Sequence, residues 1–345
     1  MTLNSITGNV WSRLRATRSD PPAAAAGNRK RRETYVFALE QAEQMFRAAA
    51  VVGPATRPLL VFYGLSQAGR AIAAAAADTS AAGGWEMSSH GILPVELRDP
   101  LPDIKVYADG NKGSFVRLSH ILGSPIWGKD DAVRLAQLWD TVPENRTQPI
   151  VDDERSRRTV LRVHGDRSFQ PHPLASALVS HFPPWLAAEA SGQSLREFMA
   201  AYPTASGYSS YVRTTDHPDG PPAYGTTQDG WANLPMHWEA PQGREATWEQ
   251  RNEHLGSMMH LFERGRVATG VFVPVVGANT TSQHPLMAWW AVTFTLSMLA
   301  RYQPAEWATH IDVDRSRTAV PIEQFLASAI DALPRLILQT IQEVA

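Results

Sequence analysis

The sequence predicts a mainly helical α+β protein in which helices near the two termini form one bundle and an irregular α/β segment is inserted between them. Three observations support this fold class. Apolar residues recur at helical spacing after Glu33, a nearly unbroken apolar run follows Pro285, and the long middle is rich in proline, glycine and short β-type runs. We expect the terminal helices to pack together because an apolar helix face is stable only when another element covers it.

Composition limits the classes of protein to which the chain can belong. Of its 345 residues, 43% are hydrophobic and 19% are charged, which is typical of a globular protein. The formal net charge of -2 excludes a global attraction to nucleic acid or to a membrane surface. The absence of cysteine excludes disulfides, Cys-ligated zinc and a cysteine nucleophile. No hydrophobic signal segment opens the chain, so we expect a cytoplasmic protein.

Residues 1–32 are predicted to form a basic arm and linker. Ser19 to Gly27 has the composition of a linker, and four basic residues follow from Arg29 to Arg32. These charges favour either a phosphate-binding arm or the solvated start of a helix. We expect residues 33–345 to form a single domain, with 33–84 and 285–345 as the helical bundle and 85–284 as a mixed α+β insertion.

Two helices are predicted in the N-terminal part of the bundle. From Glu33 to Val52, apolar residues at steps of three and four form one face, and Gly-Pro closes the helix. A second helix starts near Pro58, with Thr56 as its cap, and continues to Asp78.

The middle of the chain has a mixed pattern. Arg158 to Val163 alternates as a half-buried strand does, whereas Pro173 to Ala190 and Thr247 to Arg264 have helical patterns. Asp216 to Gly243 holds so many glycine, proline, aspartate and threonine residues that we predict a long surface loop.

The C-terminal part contains the segment around which the bundle is predicted to form. His284 to Tyr302 is apolar on every side, which is typical of a buried helix or a membrane span. Its unbroken apolar part is about fifteen residues long, shorter than the roughly 20 residues that a bilayer crossing needs. We therefore predict a core helix, followed by one or two amphipathic helices over residues 320–344.

Ser66 is a candidate nucleophile in a near-match to the G-x-S-x-G elbow of serine hydrolases. The segment reads Gly64-Leu65-Ser66-Gln67-Ala68, so alanine stands where the second glycine belongs. An elbow requires a strand before the serine and a helix after it. The same residues also fit one continuous helix, which is the competing interpretation.

The sequence gives no pattern for a metal or a nucleotide cofactor. There is no H-E-x-x-H, no E-x-x-H pair suited to a di-iron bundle, and no glycine loop of the P-loop or dinucleotide type. We therefore expect neither a bound metal nor ATP or NAD.

Four residues are candidates for a binding site. His90 precedes a predicted strand, and Asn279 and His284 lie in the polar segment that leads into the core helix, where a helix N-terminus favours anions. Arg301 is a charge at the other end of that helix. The alternatives are an N-cap for the polar segment and a pairing of Arg301 with helix carbonyls or with a nearby acid. We expect His90, Asn279 and Arg301 to approach one cleft.

The chain resembles the YaaC-like family of uncharacterised bacterial proteins. The resemblance rests on L-L-V-F-Y-G-L-S-Q-A-G-R-A-I, on S-S-H-G-I-L and on P-L-M-A-W-W-A-V-T-F-T-L-S-M-L-A-R-Y-Q-P-A-E-W, followed by A-V-P-I-E-Q-F-L and P-R-L-I-L. It spans most of the chain from about residue 33 and implies no established activity.

The F-Y-G-x-x-x-A-x-A helix also resembles the second helix of HEPN-type bundles, which often occur in toxin and phage-defence proteins. This resemblance implies a module that binds a protein partner or a nucleic acid such as RNA and that acts in phage defence. Such a module can also form a homo-oligomer. Arg167 and His172 match the R-x-x-x-x-H spacing of HEPN ribonucleases, in which the arginine steadies phosphate charge and the histidine is the acid–base. The alternatives are thus a binding module, a ribonuclease and a serine hydrolase that uses Ser66.

Overall fold

The computed structural model describes residues 3–110, 112–165, 170–210, 221–264 and 267–345. The chain divides into two compact units. The helical unit comprises Met1–Asp152, Val276–Asn279 and Gln283–Ala345, and the sheet unit comprises Asp153–Val275 and Thr280–Ser282. Helices dominate and the sheets are antiparallel, which confirms the mainly α, α+β class.

The helices of the described part follow in chain order: α1 Leu3–Ser19, α2 Ala23–Ala26, α3 Arg29–Val51, α4 Arg57–Ala75, α5 Ser114–Ile121, α6 Leu135–Asp140, α7 Pro184–Glu189, α8 Gly192–Met199, α9 Trp248–Met258, α10 Pro285–Tyr302, α11 Pro304–His310 and α12 Ala319–Val344. The strands are β1 Leu93–Val95, β2 Lys105–Tyr107, β3 Val133–Arg134, β4 Leu161–His164, β5 Leu174–Phe182, β6 Ser209–Ser210, β7 Gly225–Thr226, β8 Ala232–Glu239, β9 His260–Arg264 and β10 Val267–Phe272.

The core of the helical unit is the buried helix α10, as the sequence predicts. Its side chains are buried from Pro285 to Ser297 on every side of the helix. Helix α4 packs against α3, α10 and α12, and the rings of Phe62 and Trp290 meet edge-on at 5.9 Å. Aromatic side chains bury large apolar areas, so contacts of this kind provide much of the stability of the bundle.

Gly69 makes the close packing of α4 on α10 possible. A Cβ at this position would lie 2.5 Å from Cζ3 of Trp290, and the indole is fully buried. A glycine inside a helix normally destabilises it, and here the missing side chain creates the space for the ring.

The first 32 residues, for which the sequence predicts a basic arm and linker, contain helices α1 and α2 in the structure. Trp11 and Leu14 of α1 are buried, and Arg15 forms an ion pair with the buried Glu43 of α3. The Arg29–Arg32 cluster begins α3, whose N-cap is Asn28. Apolar residues between the basic ones let α1 pack on the bundle, which the charge pattern alone does not reveal.

Residues 85–152, which the sequence analysis assigns to the insertion, cluster with the helices. They contain α5, α6 and a three-stranded antiparallel sheet in the order β1-β2-β3. In this structure the sheet unit therefore starts at Asp153 instead of near residue 85.

The sheet unit is built on one antiparallel sheet with the strand order β6-β8-β5-β4-β10-β9, and β7 also pairs with β8. Three predictions fail here, in whole or in part. Residues 174–182, predicted to be helical, form β5, which pairs with β4 on one side and with β8 on the other. Residues 232–239 form β8 inside the predicted surface loop, with alternately buried side chains. Helix α9 ends at Met258, and β9 follows where the sequence predicts more helix.

Candidate functional site

Helix α4 presents one polar stripe. Tyr63, Gln67 and Arg70 are half-buried, at spacings of four and three residues, while the other residues from Val61 to Gly69 are buried. Residues spaced in this way lie on the same side of a helix. Between Val61 and Arg70, the stripe is therefore the part of α4 that the bundle leaves partly accessible.

A short segment, Ser88 to Gly91, runs beside this stripe and is fixed to the start of α5. The backbone N–H groups of Ser114 and Phe115 donate to the carbonyls of Ser89 and His90 at 3.0 and 2.9 Å. Gly91 and Gly113 cross so closely that a Cβ on Gly113 would lie 2.4 Å from the Cα of Gly91. Because both glycines also have positive φ, no other residue fits well at either position.

This segment places His90 over the aromatic rings of α4 and α10. The centroid of its ring lies 5.5 Å from that of Phe62 and 5.2 Å from that of Phe294. Partial burial lowers the pKa of His90, and the positive charges of Arg301 and Arg70 lower it further. The imidazole is therefore neutral at pH 7 and accessible to a ligand, since the residue as a whole is exposed.

Two arginines from different helices flank His90. Arg301, in the last turn of α10, donates from Nη1 to the hydroxyl oxygen of Tyr63 at 2.9 Å. Arg70, on the polar stripe of α4, donates from Nη1 to the carbonyl oxygen of Met87 at 2.9 Å. Among the described ion pairs, none involves Arg70 or Arg301. We call the group of Arg70, His90 and Arg301 the histidine–arginine cluster.

A cleft of about 390 Å³ adjoins this cluster. Arg70 belongs to both the cluster and the cleft, and the remaining lining residues are Lys30, Thr34, Trp85, Glu86, Met87, Ser88 and Arg117. Lys30 forms an ion pair with Glu86. Lys30 and, more weakly, Arg117 lower the pKa of the Glu86 carboxyl. Three cations against one carboxylate give this basic cleft a local positive charge, although the net charge of the chain is -2.

Trp85 is the aromatic wall of the basic cleft. It is half-buried, and the guanidinium of Arg31 lies 5.8 Å from its ring centroid. Arg31 also donates to the carbonyls of Ala73 and Ala74 at the end of α4, at 3.3 and 2.9 Å. Arg31, near the start of α3, thus contacts both the C-terminus of α4 and the aromatic wall of the cleft.

The structure brings together two of the four predicted binding residues and separates another from them. His90 and Arg301 belong to one cluster, whereas His284 caps the opposite end of α10. The helix rise of 1.5 Å per residue puts Arg301 about 25 Å from His284 along α10. Asn279 donates from Nδ2 to the carbonyl of Val276 at 3.3 Å, a local contact in the polar segment.

His284 has a structural role as the N-cap of α10. Its Nδ1 accepts the N–H of Leu286 at 3.1 Å, and its Nε2 lies 3.2 Å from a carboxylate oxygen of Glu343. Because Nδ1 is the acceptor, Nε2 carries the proton and donates to Glu343. Of the two interpretations of the polar segment, a binding site or an N-cap, the N-cap applies to His284.

We expect His284→Ala to destabilise the helical unit by roughly 1–2 kcal/mol, because α10 loses its side-chain cap. His284→Asn, which keeps an acceptor for the N–H of Leu286, should recover most of this loss. Urea unfolding followed by tryptophan fluorescence measures both variants. Equal stability of the alanine and asparagine variants would show that the cap contributes nothing.

Ser66 is buried in the middle of α4. The elbow hypothesis needs a strand before the serine, and residues 57–75 instead form one helix. Ser66 therefore does not lie on a strand-to-helix turn, and the structure gives no support to a serine hydrolase at this position.

His172 is exposed, and its Nδ1 accepts the N–H of Leu174 at 3.1 Å just before β5. Arg167, its partner in the ribonuclease hypothesis, lies outside the described residues. The hypothesis that pairs the two residues thus stays a prediction.

Of the charged and aromatic residues that line the basic cleft, the sequence points to Lys30, within the basic run from Arg29 to Arg32, but not to Arg70, Trp85 or Arg117. One signal was present, because Tyr63 and Arg70 are seven residues apart in a predicted helix that is otherwise apolar. Nothing in the sequence brings Trp85 or Arg117 to that helix face.

Among the described residues, no group of three or more potential ligand side chains could hold a metal ion. Within the same part of the chain, no helix has the length and hydropathy that a membrane span requires.

A family model described as YaaC-like Protein matches residues 9–341, which is nearly the whole chain. Neither the curated proteins nor the solved structures contain a match. The match covers the motifs around α4, His90 and α10, and the chain therefore belongs to the YaaC-like protein family.

Proposed function

We propose that the helical unit binds single-stranded nucleic acid, with RNA as the first candidate, at the basic cleft. The observation that carries the proposal is the combination of Lys30, Arg70 and Arg117 with Trp85 around one cavity. Cationic side chains that track phosphates and aromatic rings that stack on bases are the two components of sequence-tolerant single-strand binding.

The size of the basic cleft favours a single strand over a duplex. A cavity of about 390 Å³ is at the lower end of the range for small-ligand sites and accommodates one nucleotide unit. A duplex presents its bases stacked and paired, so it can offer only phosphates to such a cavity. Stacking on Trp85 requires an unpaired base.

The proposal is tested by fluorescence anisotropy with a labelled 12-nucleotide RNA, the DNA of the same sequence and a hairpin duplex. We expect Trp85→Ala to lose about 1–3 kcal/mol of binding free energy through lost stacking, and Trp85→Phe to recover part of it. Arg117→Gln should weaken binding of all sequences alike and reduce the slope of log K against log salt by about one.

Arg315→Gln is the matched control for Arg117→Gln, because the Arg315 side chain is 87% exposed and lies outside the basic cleft. It should leave the affinity and the salt slope unchanged. Equal effects of the two arginine variants, or wild-type affinity of Trp85→Ala, would contradict the proposal.

The same RNA also tests the ribonuclease alternative. If the chain cleaves the RNA and His172→Ala abolishes cleavage, the nuclease hypothesis gains its first support. If the RNA binds tightly and stays intact, the protein binds RNA without cleaving it. A defence role, which the HEPN resemblance suggests, would require that phage protection be lost in Trp85→Ala.

A further inference from the structure

The histidine–arginine cluster has the composition of an anion site and adjoins the basic cleft, with which it shares Arg70. Arg70 comes from α4 and Arg301 from the end of α10, and the imidazole of His90 lies close enough for both charges to act on it. The rings of Phe62 and Phe294 form the floor under His90. Tyr63 fixes the guanidinium of Arg301 at 2.9 Å. Arg70 is anchored to the carbonyl of Met87, three residues before His90, and Arg301 to the residue next to Phe62, on which His90 packs, so three different elements bring the polar groups to the same side of the helical unit.

Among the described residues, the two charged groups that shift the pKa of His90 have the same sign. The elements packed around it carry Tyr63 and Arg70 on α4, Arg301 on α10 and Arg117 on α5, and the backbone N–H of Asp109 donates to the carbonyl of Gly91 at 3.1 Å. The charges that shift its pKa are the two arginines, both of which oppose protonation. The free site therefore carries two positive charges and a neutral imidazole, and neither arginine forms an ion pair within the described part of the chain.

We propose that Arg70, His90 and Arg301 recognise the terminal phosphomonoester of a nucleic-acid strand, with His90 taking up a proton as the phosphate binds. This inference rests on the proposed function, because the strand is the one that occupies the basic cleft. Arg70 and Ser88 line that cleft, and Ser88 is two residues from His90, so a strand in the cleft can place its end on the cluster.

The charge of the ligand determines this preference for an end. A phosphomonoester has a second pKa of about 6 and carries nearly two negative charges at neutral pH, whereas an internal phosphodiester carries one. A dianion compensates both arginines and raises the pKa of His90, so that the imidazolium becomes a further donor. A diester compensates only one of the two arginines, so the remaining positive charge keeps the pKa of His90 low and the imidazole stays neutral.

The test compares one 12-nucleotide RNA with a 5′-phosphate, a 3′-phosphate or two hydroxyl ends, measured by isothermal titration calorimetry from pH 6.5 to 8.5. We expect one of the phosphorylated ends to bind at least 10-fold more tightly at pH 6.5, because two arginines and an imidazolium contact the additional charge. The advantage should shrink as the pH rises to 8.5, since protonation of His90 then becomes unfavourable. Titrations in buffers of different ionisation enthalpy should show proton uptake with that RNA alone.

Two variants isolate the cluster. Arg301→Gln should remove most of the end preference and keep the affinity for the hydroxyl-ended RNA. His90→Gln, which can donate a hydrogen bond but cannot be protonated, should abolish both the pH dependence and the proton uptake. His120→Gln is the control, because His120 is an exposed histidine on α5 that lies outside the cluster. Circular dichroism of each variant confirms that it is folded.

The outcomes separate this inference from the proposed function. If no RNA binds, both are wrong. If all three RNAs bind equally and Trp85→Ala weakens each of them, the basic cleft stands and the end-recognition site is wrong. Inorganic phosphate and a 5′-mononucleotide serve as competitors. If inorganic phosphate competes as well as the RNA end does, the cluster binds free phosphate and recognition of a strand is overturned.

Discussion

Gly69→Ala is expected to destabilise the helical unit by about 3 kcal/mol or more, at the upper end of the cost of overpacking a core. The added methyl group would lie 2.5 Å from Cζ3 and 2.9 Å from Cη2 of Trp290. The indole cannot move away, because it is fully buried and packs on Phe62. The substitution therefore forces α4 and α10 apart or drives Trp290 out of its rotamer.

Gly256→Ala is the matched control. Gly256 also lies inside a helix, α9, and nothing stands within 4 Å of its absent Cβ. There the higher helix propensity of alanine should stabilise the sheet unit by about 1 kcal/mol. Chemical denaturation of both variants gives the two free energies. A stabilising Gly69→Ala would mean that α4 and α10 are not in the close contact described above.

Phe325→Ala is expected to cost about 4 kcal/mol, within the range for truncating a buried phenylalanine. Phe325 of α12 stacks on Trp289 with ring centroids 4.5 Å apart and lies 4.9 Å from the ring of Trp139. Both indoles are fully buried, so truncation leaves a cavity between two large side chains that cannot close it. The change should appear in the near-ultraviolet circular dichroism as well as in the unfolding midpoint.

Phe37→Ala provides the comparison for a phenylalanine that is not in the core, because Phe37 of α3 is 65% exposed. Its cost should stay within about 0.5 kcal/mol, as for most surface substitutions. Phe325→Leu should fall between the two, since leucine fills part of the cavity. A loss of less than 1 kcal/mol for Phe325→Ala would be incompatible with the stacking between α10, α12 and α6.

The residues substituted to test stability lie in the core, and those substituted to test binding lie at the surface, so an effect on binding can be told apart from an effect on folding. Trp85, Arg117 and Arg301 are half-buried or exposed, whereas Gly69 and Phe325 lie in the core. Substitutions in the basic cleft should therefore change nucleic-acid affinity and leave the unfolding midpoint nearly unchanged. The core variants should lose binding only as far as they unfold.

The sequence by itself determined the elements whose pattern is local. The run after Pro285 could be identified as a buried helix because it is apolar on every side and too short to span a bilayer. The segment around Ser66 could be identified as helical because its length and composition outweigh one near-match to a motif. The fold class and the YaaC-like family follow from the same local patterns.

The tertiary structure alone decided the elements that depend on partners. Residues 174–182 contain good helix formers, yet they form β5 because β4 and β8 offer hydrogen-bonding edges on both sides. Strand β8 lies in a segment whose composition before Gly243 is typical of a loop. It could not be predicted from that composition, because strand pairing is a non-local interaction. The N-terminal segment forms helices that pack on α3 through a few apolar side chains that its basic composition obscures.

In the candidate site, too, the sequence identifies some of the residues, and only the tertiary structure shows how they are arranged. The sequence singled out His90 and Arg301, because an isolated polar residue beside an apolar element is visible locally. Only the packing of α4, α10 and the segment before Gly91 brings these two residues together with Arg70. The same packing leaves His284 at the far end of α10. Contacts between residues more than 200 positions apart, such as that of Tyr63 with Arg301, are created by burial of the core and leave no trace in local spacing.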